Sequence, residues 1–244
     1  MFARKQRLFP AIAFLCALLA LTPALALAQE APGVFPSPED AIRFFVNALT
    51  ENDYEKALQA CAVDEYVEGF DFAGSVDRLK VLMPPQMMAP SEYEMYIEMN
   101  RISTMATLTS QIKMMIYSFF IPELRKDAAP LYVEGAYAEE FIEKVDPSKL
   151  KNLKVLRIDP PVQDILNSEK NITNFQKVAE LYGAQEQTER VALYSLDGVT
   201  YAGGFGLMRY DDSWKIIRFN SNLAGQTSYG TVEEMTESAY ASLL

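Results

Sequence analysis

Residues 214–219 are apolar on both faces of a predicted strand, which excludes a sheet that is open to water on one side. Strict alternation places Trp214 and Ile216 on one face and Ile217 and Phe219 on the other. A sheet with two apolar faces needs cover on both sides. We therefore expect the N-terminal helices to cover one face, and the middle helical segment or a second subunit to cover the other.

Two amphipathic helices are predicted at the start of the folded region. Ser37 supplies an N-cap and Pro38 a favourable first-turn residue. Apolar residues within 42–49 then recur at i, i+3, i+4 and i+7, and a shorter apolar stripe follows within 54–61. Each helix is apolar on one side only, so both are expected to pack against a common core.

The middle of the chain is predicted to be mainly helical. A capping box at residues 91–94 indicates a long helix that ends near residue 120. Other helices are expected within a short stretch before it and two stretches after it, namely 76–82, 136–145 and 174–182. Residues 153–158 interrupt this helical region as a predicted strand.

The C-terminal part changes to a β pattern. Strands are predicted at 191–196 and 199–210, joined by the turn signal Asp197-Gly198. The second strand carries three closely spaced glycines, Gly203, Gly204 and Gly206. Glycines inside a strand indicate a strong bend or the close approach of another group.

These elements together resemble the nuclear-transport-factor-two-like superfamily. The resemblance rests on the capped first helix, the run Asp-Tyr-Glu-Lys-Ala-Leu at 53–58, and the C-terminal hairpin with Trp-Lys-Ile at 214–216. It covers roughly residues 37–62 and 187–220. It implies an α+β fold in which a curved antiparallel sheet packs on N-terminal helices, with a pocket at the wide end of a cone. A helical insertion at about 76–122 is long for this superfamily, whose members include enzymes, binding modules and dimers.

The N-terminal residues predict export. Three basic residues within 4–7 precede an apolar run at 11–21, and Ala26-Leu27-Ala28 has the pattern read by signal peptidase. We predict a signal peptide at 1–28, a linker at 29–36, a single domain at 37–224 and a C-terminal tail at 225–244. The apolar run is short for a bilayer span, so we expect an extracytoplasmic protein, secreted or periplasmic, with no membrane span after cleavage. An uncleaved anchor is the alternative.

The charge balance excludes several classes of partner. The chain has 22 basic and 33 acidic side chains and a net charge of −11. Loss of the basic leader would make the charge more negative still. Nucleic acids and anionic membrane surfaces attract basic faces, so neither is an expected partner. The absence of histidine also excludes serine–histidine triads and histidine metal ligands.

Only one cysteine, Cys61, would remain after removal of the leader that contains Cys16. The mature chain could then form no intramolecular disulfide, and the fold must depend on its apolar core. The sequence favours Cys61 as a buried small side chain on a helix. A reactive thiol or an intermolecular disulfide is the alternative.

Four aromatic residues near the C-terminal hairpin are the predicted ligand-binding residues. They could line a pocket at the wide end of the curved sheet, and they are Tyr201, Phe205, Tyr210 and Trp214. Asp159 and Asp197 could act as acids in such a pocket, although each adjoins a turn residue and a structural role in the turn is favoured. No cofactor and no metal ion are predicted. The acidic residues from Asp64 to Asp71 lack the alternating spacing of a calcium loop.

Methionines are concentrated between residues 83 and 115. Met95 and Met99 share a helix face at i, i+4, a spacing that could hold Cu(I) in an extracytoplasmic protein. Methionine side chains also form adaptable apolar contact surfaces. Ordinary core packing is favoured over both of these interpretations.

The sequence favours a non-catalytic domain that binds an apolar small molecule or a protein partner, and a homodimer is one assembly that this hypothesis allows. This hypothesis rests on the two apolar sheet faces, the methionine-rich insertion and the lack of a catalytic set. The alternative is an enzyme with a carboxylate or tyrosine acid–base group inside a cone-shaped pocket. That alternative requires a buried Asp or Glu that faces a Tyr on the concave side of the sheet.

Overall fold

An antiparallel sheet with helices on both faces organises the computed structural model, which describes residues 33–125, 130–132 and 134–244. The strands are β1 (Lys154–Asp159), β2 (Glu186–Leu196), β3 (Val199–Tyr210), β4 (Ser213–Arg218) and β5 (Glu233–Glu234). Strands β1 to β4 are neighbours in chain order, and β5 pairs with β3. The protein is an α+β protein with a curved antiparallel sheet, as the sequence predicted.

The α-helices surround this sheet. They are α1 (Pro38–Thr50), α2 (Tyr54–Leu58), α3 (Asp64–Glu68), α4 (Phe72–Leu79), α5 (Glu94–Phe120), α6 (Tyr137–Lys144), α7 (Gln163–Leu166), α8 (Glu169–Leu181) and α9 (Glu237–Ala241). Two 3-10 helices lie at Pro122–Leu124 and Pro147–Asn152. Within the described residues no helix is both long enough and apolar enough to cross a membrane.

The hairpin of β2 and β3 is the longest pairing in the sheet and runs from Glu186↔Arg209 to Leu196↔Val199. Asp197 (φ 51°) and Gly198 (φ 87°) form its two-residue turn. Positive φ at both positions is what the favoured hairpin turn requires, so the predicted turn is confirmed. Strand β2 starts at Glu186, whereas the apolar pattern predicted a start at residue 191. The pattern missed residues 186–190 because all five are polar.

One sheet face, here called the inner face, packs on α1. The ring of Phe45 lies 6.3 Å from that of Phe205 and 4.7 Å from that of Phe219, measured between centroids. Trp214 belongs to the same continuous core cluster as Phe45. The N-terminal helix and the C-terminal hairpin therefore share one apolar interior.

The second half of α5 also covers the inner face. Phe119 packs edge-on against Tyr194 and Tyr201, with centroid distances of 5.7 and 5.2 Å. The prediction that the middle helical segment covers the opposite face is therefore wrong. The apolar residues of this half of α5 are not confined to one side of the helix. The sequence pattern alone therefore did not indicate which sheet face it contacts.

The opposite face, here called the outer face, is covered by α8 and by the C-terminal segment. Ala179 of α8 packs with Met208, and Tyr240 of α9 packs with Val191 and Leu193. Tyr240 is fully buried. Residues 225–244, which the sequence analysis set apart as a tail, thus contribute β5, α9 and part of the outer-face core.

Two glycines of β3, Gly204 and Gly206, allow close approach on the outer face. A Cβ at Gly204 would lie 2.4 Å from the Ser221 backbone nitrogen, and one at Gly206 would lie 2.7 Å from Cγ of Arg218. The Arg218 side chain of β4 passes over Gly206 of β3 and contacts Glu189 of β2, with 2.5 Å between Nη2 of Arg218 and Oε1 of Glu189. Glu189 is only 1% exposed. The prediction of a close approach is confirmed, and the approaching group is part of a buried ion pair.

The capping box predicted at the start of α5 is wrong. Ser91 does not cap the helix but donates a hydrogen bond to the Phe70 carbonyl oxygen over 2.5 Å. The N-cap position is Tyr93, which makes no side-chain cap. The local pattern was outweighed here by a contact between distant parts of the chain. The signal peptide predicted at 1–28, and residues 29–32 of the predicted linker, lie outside the described residues.

Candidate functional site

The four predicted aromatic residues do not converge on one pocket. Tyr201, Phe205 and Trp214 are buried in the inner-face core. Tyr210 points to the outer face, where it packs with Tyr66, Tyr182 and Ile217. The reason is that α1 inserts Phe45 against Phe205 and Phe219, so side chains fill the space that the cone-shaped pocket would need.

The two candidate acids are held in structural contacts. Asp159 Oδ2 lies 3.0 Å from the Tyr240 hydroxyl oxygen and 3.1 Å from Nη2 of Arg157, on the outer face. Burial and the nearby Asp159 carboxylate raise the pKa of Tyr240. Asp197 accepts a hydrogen bond from Asn152 over 2.9 Å at the hairpin turn.

A separate cavity lies between α3, α4, the first half of α5 and the end of α8, and we call it the methionine cleft. Its volume is about 370 Å³, within the range of about 300–1,000 Å³ usual for ligand pockets. It is lined by Tyr66, Phe70, Ser75, Leu79, Met83, Gln86, Met87, Met88, Ser103, Thr104, Thr107, Leu108, Tyr182 and Ile217. None of these side chains carries a formal charge at neutral pH.

Stacked tyrosines form the floor of the methionine cleft. The rings of Tyr66 and Tyr182 are nearly parallel, with centroids 4.0 Å apart. Burial, and then the neighbouring Tyr182, raise the pKa of Tyr66, so its hydroxyl stays protonated. Gly69 permits this arrangement, because a Cβ there would lie 2.5 Å from the Tyr182 carbonyl oxygen.

The lip of the methionine cleft is the segment 83–91, and α5 fixes it in place. The Ala89 N–H donates to Asn100 Oδ1 over 2.9 Å, and Asn100 Nδ2 donates to the Ala89 carbonyl oxygen over 2.8 Å. Asn100 is buried. Since one side chain satisfies both backbone groups of Ala89, it determines where Met87 and Met88 sit over the cleft.

The chemistry of this lining suits an uncharged ligand with an apolar body and a few polar groups. Rings and thioethers offer apolar contact, and methionine adapts its shape to the ligand. Hydroxyls such as those of Thr104 and Ser75 offer hydrogen bonds that would orient the ligand. The methionine cluster was visible in the sequence, but Tyr66 and Tyr182 were missed, because only tertiary packing brings α3 and α8 together.

Met95 and Met99, the pair considered for Cu(I), are not in the methionine cleft. They are 65% and 55% exposed on the solvent side of α5. The acidic residues nearby contact a cation, because Arg101 Nε lies 2.5 Å from Asp64 Oδ1 and Nη2 lies 3.2 Å from Glu68 Oε1.

A second cavity, here called the apolar groove, lies beside the other half of α5. It has a volume of about 440 Å³. It is lined by Tyr54, Thr109, Ile112, Lys113, Ile116, Tyr117, Val145 and Pro147. Its lining offers fewer hydroxyl and amide groups than the methionine cleft does.

The single described cysteine, Cys61, is buried in the inner-face core. Burial raises the pKa of its thiol to about 12, and the nearby Lys215 opposes this only partly. Lys215 itself donates to the Gln59 carbonyl oxygen over 2.7 Å and lies above the ring of Phe35. The thiol is therefore neutral at physiological pH.

No protein-family model matches this chain. No curated protein matches it either. Among solved structures, it is similar to a cystatin-like protein from Ruminococcus gnavus ATCC 29149, with 22% identity and a TM-score of 0.49. That match covers 82% of this chain and 45% of the other, so this chain spans less than half the length of that protein.

Proposed function

We propose that this chain is a non-catalytic, extracytoplasmic domain that binds an uncharged, largely apolar small molecule in the methionine cleft. The observation that carries the proposal is the lining of that cleft, which combines seven apolar side chains with seven that carry a hydroxyl or amide group, the two tyrosines included, and contains no charged group. Small-molecule sites combine apolar surface with polar groups that orient the ligand, and this lining offers both. Charged ligands would lose their hydration there without gaining a partner.

The backbone around the cleft supports a preformed site. Asn100 holds the lip through Ala89, and the start of α4 is tied to α8 by the Asp71 N–H, which donates to the Leu181 carbonyl oxygen over 2.8 Å. A preformed site loses little conformational entropy when it binds its ligand.

The proposal is tested with the fluorescent probe N-phenyl-1-naphthylamine, which is uncharged and apolar. We expect its fluorescence to rise on binding to the full chain. Thr104→Phe should fill the cleft and weaken binding by about tenfold, equivalent to ~1.4 kcal/mol. Thr109→Phe is the matched control, because Thr109 lies on the same helix but lines the apolar groove.

Either of two results would overturn the proposal. The first is no saturable rise in fluorescence with the unsubstituted chain. The second is loss of binding in Thr109→Phe but not in Thr104→Phe, which would assign the ligand to the apolar groove. Far-UV circular dichroism of each variant verifies that it is folded.

The extracytoplasmic location rests on the leader-like residues at the N-terminus. Expression of the full chain in a host with a secretory pathway should give a mature product that begins near Gln29 and lies outside the cytoplasm. Intact mass and cell fractionation measure both, and an unprocessed cytoplasmic product would contradict this part of the proposal. We further propose membership of the nuclear-transport-factor-two-like superfamily, supported by the capped α1 and the C-terminal hairpin that packs on it.

A further inference from the structure

The first half of α5 exposes an apolar stripe to solvent, which we call the α5 stripe. Met95, Met99 and Ile102 recur at i, i+4 and i+7 and are 65%, 55% and 68% exposed. Residues at this spacing lie on one side of a helix. Large apolar side chains in a continuous exposed row are typical of interaction surfaces, whereas single ones are common on any protein.

Few residues of this part of α5 are buried. Between Glu94 and Leu108, Asn100 and Leu108 are the helix positions buried within the described structure. Asn100 faces the methionine cleft through its contact with Ala89. The α5 stripe is thus a different surface from the cleft, and it is held on a helix whose second half is anchored in the core.

The surroundings of the α5 stripe are acidic. Glu92, Glu94 and Glu98 are exposed at the start of the helix or just before it. Asp64 and Glu68 lie beside them, and Arg101 is the cation that contacts this group. Carboxylates therefore outnumber the guanidinium, and a second copy of the chain would bring like charges together across the contact.

We propose that the α5 stripe binds a basic amphipathic helical segment of another protein. The apolar side of such a helix would pack on Met95, Met99 and Ile102, and its lysines or arginines would meet the flanking carboxylates. Methionine side chains adapt to differently shaped apolar residues. The net charge of −11 also favours the approach of a basic partner.

The test uses a synthetic peptide of leucine and lysine, about four helical turns long, whose leucines repeat at i, i+3, i+4 and i+7. Fluorescence anisotropy of the labelled peptide measures its binding to the full chain. We expect saturable binding that weakens as salt is added, because salt screens the exposed charges. A peptide of the same composition in shuffled order should bind at least about tenfold more weakly.

Two isoleucines of equal exposure provide a matched pair of variants. Ile102→Gln removes apolar surface from the α5 stripe and should weaken peptide binding by about tenfold. Ile142→Gln is the control, because Ile142 is 69% exposed on α6, away from the stripe. Glu94→Lys should weaken binding by roughly threefold through charge alone. It should also improve binding of a leucine–glutamate peptide.

The proposal is overturned if the shuffled peptide binds equally well, since that result would reflect charge without a helical contact. Equal effects of Ile102→Gln and Ile142→Gln would also overturn it. A third contrary result is a dimer of the chain in sedimentation velocity that Ile102→Gln dissociates and the peptide does not. That outcome would assign the stripe to a second copy.

Discussion

Several side chains in this protein make contacts with residues far away in sequence that override their local sequence context. Ser91 has the sequence context of a helix cap, yet it bonds the distant Phe70 carbonyl oxygen. Gly206 looks like a weak point in β3, yet it makes room for Arg218 to reach the buried Glu189. The sequence signals that glycine is needed at such a site, but the approaching residue is known only from the fold.

At the scale of a single residue, the burial of Cys61 should make the free energy of unfolding depend on pH. Its thiol has a reference pKa of 9.0 and a folded pKa of about 12. The unfolded chain therefore releases this proton first, and stability should fall as pH rises from 9 towards 12, by up to ~1.4 kcal/mol per pH unit. Below pH 9 the thiol is protonated in both states and has no such effect.

Comparison of the natural chain with Cys61→Ala isolates this contribution. Tyrosines and Cys16 are present in both chains, so their titration cancels in the difference. Urea unfolding followed by Trp214 fluorescence, at neutral pH and at steps to about pH 11, gives the two free energies of unfolding. A difference that is the same at every pH would show that Cys61 is not shielded from water.

At the scale of whole elements, helix α5 combines three roles along its length. Its first half carries the α5 stripe on one side and anchors the lip of the methionine cleft through Asn100 on another, and its second half packs under the sheet. The sequence predicted that α5 ends near residue 120, and the helix does end at Phe120, shortly before Pro122. Which side of the sheet it covers depends on packing against α1 and could not be predicted from periodicity.

We expect Asn100→Leu to release the lip of the methionine cleft. The variant leaves the Ala89 N–H and carbonyl without their partner, at a cost of about 1–3 kcal/mol. Segment 83–91 should then exchange its amide hydrogens faster, and binding of N-phenyl-1-naphthylamine should weaken. Hydrogen–deuterium exchange with mass spectrometry measures the first effect.

Asn174→Leu is the control for this change. Asn174 also joins two helices, because its side-chain oxygen accepts a hydrogen bond from Arg78 Nη2 over 2.6 Å, but it lies outside the lip. It should leave exchange in segment 83–91 unaltered. Unchanged exchange in Asn100→Leu would mean that other contacts hold the lip.

For the whole molecule, local sequence signals identified the sheet and the first helix, and long-range packing supplied the rest. Strand β3 and the Asp197-Gly198 turn were predicted because alternation and turn chemistry are local. The cover of the outer face was missed, because α9 is too short for an apolar period to be recognised. The cleft was missed for a similar reason, since α3 contributes a single short turn of helix.

The shared interior of α1 and the C-terminal hairpin predicts that they unfold together. Phe45 is fully buried between Phe205 and Phe219, and Trp214 lies in the same cluster. Phe45→Ala should lower the free energy of unfolding by about 3–5 kcal/mol. Because Trp214 and the helices then respond to one transition, its fluorescence and the helical circular dichroism should give the same urea midpoint.

Phe141→Ala provides the comparison, since Phe141 of α6 packs with Tyr117 and Tyr137, outside this cluster. We expect a smaller loss of stability from it, because a half-exposed ring gives up less buried apolar area. If Phe45→Ala shifted the helical signal and left the Trp214 signal in place, the helix and the hairpin would be separate folding units. Coincident shifts require that α1 and β4 are stabilised by the same core.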